Sequence, residues 1–136
     1  MYDHLAIGVR DLERSAAFYD AVLGALGRVR LFANPRAVCY GPAGWTGEYP
    51  FAIIQHGDDA HPPGAGFHLA FTAPDRSAVN AFFAEALAHG GTDDGPPGIR
   101  ARYGPGYYAA FVLDPDGHRL EAVVHEVEAG QPTRPD

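Results

Sequence analysis

Two histidines, His4 and His68, each open a short apolar segment, and Glu121 sits inside a third. Neutral imidazole and carboxylate are ligands that suit iron, zinc, manganese or nickel. Two imidazoles and one carboxylate on one face of an ion leave positions open for substrate and for water or dioxygen. That is the ligand set of non-haem iron(II) oxygenases. Each residue alone has a plainer reading. A histidine at the start of a strand is usually hydrogen-bonded or partly exposed. Glu121 is flanked by Leu120 and by Ala122-Val123-Val124. Pointing outward it is a surface charge. Pointing inward it needs a partner, and a metal is one. The histidines rise above the plain reading because they hold the same place in two copies of a repeat.

The repeat supplies the elements that must position them. His4-Leu5-Ala6-Ile7 aligns with His68-Leu69-Ala70-Phe71. At the same offset Asp11 meets Asp75, Ala17-Phe18-Tyr19 meets Ala81-Phe82-Phe83, Leu23 meets Leu87 and Gly27 meets Gly91. Each copy opens with a strand of alternating or apolar character, 4–9 and 68–73. Asp11 and Asp75 are N-cap residues for the helices that follow. Leu12, Ser15, Ala16, Tyr19, Val22 and Leu23 recur at helical spacing, as do Val79, Phe82, Phe83, Ala86 and Leu87. Gly24 and Gly27, and then Gly90-Gly91, stop the helices. Strands are expected at 28–32, 37–40 and 50–55, then at 98–102, 107–113 and 119–125. Asp114-Pro115-Asp116-Gly117 makes a turn and joins the last two into a hairpin. The expected fold class is therefore α+β, with two tandem βαβββ modules whose curved sheets enclose a shared cavity. A single domain over 1–127 divides into module one (about 1–56), a Gly/Pro/Asp-rich linker (57–66) and module two (about 67–127). Residues 128–136 read as a tail.

Other polar residues suggest a cavity rim. In Arg100-Ala101-Arg102-Tyr103-Gly104-Pro105-Gly106-Tyr107-Tyr108, two arginines and three tyrosines flank a Gly-Pro-Gly turn. The plain reading is a decorated hairpin loop. The functional one assigns Arg100, Arg102 and Tyr103 to substrate, with Tyr107 or Tyr108 as the catalytic hydrogen-bond donor or acid/base. Tyr107 and Tyr108 alternate, so only one can face the cavity. Trp45 and Tyr49 are placed at the mouth from the other half. His118 is expected in a turn, His56, His61 and His89 in solvent, and His125 on the strand face of Glu121. Cys39 reads as a small core residue.

Composition narrows the function classes. A net charge of -7 and the lack of a Lys/Arg block argue against a nucleic-acid partner. One cysteine excludes an intramolecular disulfide, zinc fingers and CxxC redox chemistry, and a reducing cytoplasm is the simplest compartment. No apolar run reaches membrane-spanning length, and the first residues lack a signal-like pattern. No Gly-x-Ser-x-Gly or phosphate loop is present.

The opening histidine strand, Asp11-Leu12-Glu13-Arg14-Ser15, Phe18-Tyr19 and Leu23-Gly24 resemble the start of a vicinal-oxygen-chelate protein. Gly66-Phe67-His68-Leu69-Ala70-Phe71 resembles the opening of that family's second module, and Phe111-Val112-Leu113-Asp114-Pro115-Asp116-Gly117 with Leu120-Glu121 resembles its final hairpin. The resemblance runs from about Tyr2 to Val127. It implies a U-shaped cavity with a divalent metal (Fe2+, Zn2+, Mn2+ or Ni2+) at its base, held by His4, His68 and Glu121. It also implies a small-molecule substrate and a homodimer, the site lying within one chain or across two. Aligning Phe51-Ala52-Ile53-Ile54 with Leu120-Glu121-Ala122-Val123 puts Ala52 at the fourth ligand place of glyoxalases, where alanine cannot bind. Gln55 would face away unless a bulge intervenes. The resemblance thus leaves three expectations: a dioxygenase- or transferase-type metal enzyme, a metal-free sequestration protein of the bleomycin-resistance type, and glyoxalase-like isomerase or lyase chemistry.

Overall fold

The computed structural model describes residues 1–126; the expected tail lies outside them. Module one contains β1 (Leu5–Val9), α1 (Leu12–Ala25), β2 (Arg28–Ala33), β3 (Ala37–Pro42) and β4 (Phe51–Gln55). Module two contains β5 (Leu69–Thr72), α2 (Arg76–Ala88), β6 (Thr92–Ile99), β7 (Tyr107–Leu113) and β8 (Arg119–His125). Each module forms one four-stranded sheet, in the orders β1-β4-β3-β2 and β5-β8-β7-β6. The opening strand of each module runs parallel to its last strand, and the other pairs are antiparallel.

The caps are those the sequence supplies. The Asp11 carboxylate accepts from Arg14 N at 3.1 Å and that of Asp75 from Ala78 N at 2.8 Å. Each ties down an amide of the first turn that has no partner within its helix. Gly27, just beyond α1, has φ +80°, a value only glycine adopts without strain.

One expected strand is displaced. The strand read at 98–102 lies at Thr92–Ile99, and Ala101–Tyr103 form a turn of 3-10 helix. Thr-Asp-Asp-Gly-Pro-Pro-Gly-Ile has the composition of a loop. It forms a strand because β6 is a sheet edge with register shifts around Gly95, where the missing proline donors do no harm.

Strand parity separates two faces on each sheet. Ile7, Val9, Val38, Tyr40, Phe51 and Ile53 point to α1, and Leu69, Ala110, Val112, Leu120 and Ala122 point to α2. The helices pack on one another, and a single apolar cluster runs through both modules. Phe18 and Phe82 in its middle are each 0% exposed. Polar ties reinforce the joint. Tyr19 Oη donates to Asp114 Oδ2 at 2.6 Å, and Arg14 pairs with Asp116. His118, expected as an ordinary turn residue, is 3% exposed and donates from Nε2 to Gly8 O at 2.9 Å. It is a buried link between modules. No helix among the described residues is long and apolar enough to cross a membrane.

The joint has a pH consequence. Burial pushes the Asp114 carboxyl above its ordinary value, outweighing the hydrogen bond from Tyr19 and the nearby His118, which pull it down. The folded form therefore holds this proton more tightly than the unfolded chain does. The stability Asp114 lends is full below about pH 3.9 and is lost as pH rises through its raised folded value. Asp114→Asn should gain stability relative to the parent as pH rises from about 4 toward neutrality. Denaturation midpoints at several pH values check this, and a gap that stays constant with pH would contradict it.

Candidate metal and substrate site

The face of sheet two away from α2 carries the candidate site. Ala70 is in register with Glu121 on β8, and Phe111 on β7 is directly opposite it. Side chains alternate along a strand, so Glu121, Val123 and His125 share this face with Tyr107, Ala109 and Phe111. Glu121 is 1% exposed. A carboxylate buried this far must be compensated, and both its oxygens are engaged. His68 Nε2 lies 3.1 Å from Oε1, and the Tyr107 hydroxyl donates to Oε2. The His68 side chain is half exposed, so the pair opens to the surface.

The structure separates the two adjacent tyrosines. Tyr107 faces Glu121 and stacks edge-on with His125, ring centroids 4.9 Å apart. Its hydroxyl is pushed well above its ordinary value, first by burial and then by the Glu121 carboxylate, so it is held as a donor. Tyr108 faces α2. Its hydroxyl donates to Asn80 Oδ1 at 2.7 Å and its ring lies against Arg76. Tyr108 therefore stands away from Glu121.

His4 lies elsewhere in the single chain. Its Nδ1 is 2.6 Å from Asp3 Oδ1, and Asp3, His4 and Glu48 present ligand atoms within 4.8 Å of one another. All three are exposed, and His4, His68 and Glu121 do not form such a group. The Asp3 hydrogen bond raises the His4 pKa, with Glu48 adding to it. Neither Asp3 nor Glu48 stood out in the sequence, because exposed acidic residues carry no periodic signal.

Ala52 occupies the place equivalent to Glu121. Ala6 pairs with Ala52 as Ala70 pairs with Glu121. Gln55 is occupied otherwise. Its Oε1 accepts from Leu12 N at 2.7 Å and its Nε2 donates to Arg10 O at 2.9 Å, fixing the turn into α1. Cys39, across from Ala52, is 7% exposed, in keeping with the small core residue expected.

The rim residues divide. Tyr103 joins Phe67, His68, Asp94, Phe111 and Arg119 around a cavity of about 240 Å³. Arg102 stacks over Tyr103, 4.7 Å from its ring centroid. Arg100 instead donates to Pro96 O and Gly98 O at 2.7 and 3.0 Å and lies over Phe111, holding the bulged β6 in place. Trp45 belongs to a module-one loop, where its indole donates to Glu48 O at 2.8 Å.

Paired βαβββ modules with a histidine-carboxylate pair on the sheet face away from the helix define a protein of the vicinal-oxygen-chelate class. Residues 2–122 match the family described as Glyoxalase/Bleomycin resistance protein/Dioxygenase superfamily, and the chain belongs to it. A glyoxalase/bleomycin resistance protein from Albidiferax ferrireducens is 37% identical, with TM-score 0.75, over 90% of this chain and 97% of that one. The fosfomycin resistance protein FosX from Listeria monocytogenes shares the fold at 17% identity and TM-score 0.66, over 94% and 95% of the two chains. A glyoxalase I mutant from Zea mays does so at 21% and 0.70, over 88% of this chain and 45% of that one. The curated proteins give no match.

Proposed function

We propose that this chain is a metal-dependent enzyme, of the dioxygenase type first and the isomerase or lyase type second. It would act on a small oxygenated substrate whose two oxygens chelate a divalent ion. His68 and Glu121 would hold the ion from one chain, and His4 of a second copy in a homodimer would supply the third donor. The observation that carries this reading is the 3.1 Å separation of His68 Nε2 and Glu121 Oε1 on a buried sheet floor. Adjacent ligands on one ion at about 2.0–2.2 Å lie about 3–3.5 Å apart, so the two donors are near the spacing a shared metal requires once the hydrogen bond between them opens. A divalent ion there would act as a Lewis acid on the chelated oxygens. Tyr107 occupies the second oxygen of Glu121 and so leaves Oε1, the oxygen facing His68, as the one that would ligate. The fold is shared with a glyoxalase I and with a fosfomycin resistance protein, and the half-exposed His68 side chain supports an open site over a closed structural one.

A metal-free binding protein of the bleomycin-resistance type is the second reading. It is favoured by Ala52 at the fourth place and by the saturation of both Glu121 oxygens by donors of this chain.

Elemental analysis decides between them. Parent and Glu121→Ala proteins would be purified anaerobically, without chelator or metal-affinity resin. Near-stoichiometric metal in the parent, lost in the variant, is the expected result. Iron would direct the next assays to oxygenase chemistry, and zinc, nickel or manganese to isomerase or transferase chemistry. A parent that is empty and takes up no added divalent metal would leave the sequestration reading standing.

A further inference from the structure

We propose that the cavity beside His68 binds a small aromatic carboxylate, with Arg119 as the anchor for the carboxylate group. The walls supply the first half of the argument. Phe67 and Tyr103 are 38% and 42% exposed. With Phe111 and the imidazole of His68 they put four flat unsaturated rings around one cavity. Exposed aromatic side chains gathered on a concave surface favour a flat ring as ligand, through offset or edge-on contact. The cavity volume of about 240 Å³ exceeds the roughly 150 Å³ at which an engineered apolar cavity takes up benzene. A single ring bearing one small polar group fits that volume.

Arg119 supplies the second half. It is two residues before Glu121 on β8, so its side chain leaves the sheet on the same face. Among the described residues its ion pair runs from Nε to Asp94 Oδ2 at 3.4 Å, a loose contact between an exposed guanidinium and a part-exposed carboxylate. Its terminal guanidinium nitrogens make no hydrogen bond with the described residues. A planar guanidinium fork engages a carboxylate through two parallel hydrogen bonds. Asp94 lies on the same cavity wall and competes for that fork. The ligand carboxylate therefore displaces a weak internal pair and does not meet a bare charge.

This inference rests on the proposed function only in taking His68 and Glu121 as the place where the ligand reacts. Binding itself needs no metal, so the two can fail separately. The probes are benzoate, benzyl alcohol and acetate, titrated by calorimetry into the full chain as purified and again after chelation. Benzoate should bind at least about tenfold tighter than either control in both preparations, since benzyl alcohol lacks the charge-assisted bidentate bond and acetate lacks the ring that meets the aromatic walls. Arg119→Met should remove the preference for benzoate over benzyl alcohol. Asp94→Asn should strengthen benzoate binding by a few-fold, which a merely structural role for the pair would not produce. Equal affinities for benzoate and benzyl alcohol, or an unchanged preference in Arg119→Met, would overturn the proposal. Metal content measured on the same samples reports separately on the metal site.

Discussion

Phe18→Ala should lower unfolding stability by about 3–5 kcal/mol, the usual cost of truncating a fully buried phenylalanine. The site is unusually well placed to show it. Phe18 is 0% exposed, and its ring reaches out of module one toward Gly91 of module two. A methyl group added at Gly91 would lie 2.8 Å from Phe18 Cε2 and 2.8 Å from Ala86 O, so the packing leaves no slack on that side. The cavity left by the missing ring opens at the helix-helix contact, which neither sheet can close without moving backbone. A domain of this size is stable by about 5–15 kcal/mol, so the variant should stay folded with a much lower midpoint. Urea unfolding followed by far-UV dichroism and by Trp45 fluorescence checks this. Trp45 is the one tryptophan and lies in module one, while dichroism reports on both modules. Because one apolar cluster spans both modules, the two signals should move together. If only the Trp45 transition shifts, the modules unfold independently and the shared core is not what holds them.

The legibility of this fold followed the strength of its periodic signals. The repeat from His4 to Gly27 and from His68 to Gly91 carried strand, cap, helix and stop together, and these formed except that Gly24, read as a stop, lies inside α1, which ends before Gly27. The β6 edge did not read as a strand, because an edge needs few donors and tolerates Pro96, Pro97 and Gly95. The Asp114-to-Gly117 turn was legible, yet the burial of His118 was not. Its partner is the carbonyl of Gly8, 110 residues away, and no local pattern encodes a tie of that span. On the site, Glu121 and His68 do meet, and strand parity alone accounts for Tyr107 and Glu121 sharing a face. Parity on the final hairpin would also have given Phe111 and Arg119. The Arg100–Tyr103 loop is more conspicuous in composition than either. The grouping of Asp3, His4 and Glu48 depends on a loop path between β3 and β4 that residue order does not set.

Ala52→Glu should tighten divalent-metal binding by at least about tenfold, or about 1.4 kcal/mol, while making the metal-free protein less stable. The register puts Ala52 in the place of Glu121, with Ala6 on one side and Cys39 on the other. These small neighbours leave room for a carboxylate that Phe111 and Ala70 already frame around Glu121. Glu121 has His68 and Tyr107 to satisfy its oxygens. A glutamate at position 52 would find no equivalent of Tyr107, since Cys39 pairs with Ala52 in this sheet and no tyrosine lies diagonally from it. Burying an unsatisfied neutral polar group costs about 1–3 kcal/mol by mutational measure and an ionised carboxylate costs more, and a bound ion would reverse the sign. The variant should therefore melt below the parent in chelator and above it in excess zinc or manganese, with competition titration giving the change in affinity. The result also reads the geometry of assembly. If His4 and position 52 of a second copy face His68 and Glu121, the new carboxylate joins the ion and the melting order inverts. A variant that is destabilised equally with and without metal would place position 52 away from the ion, and with it the shared site proposed across a homodimer.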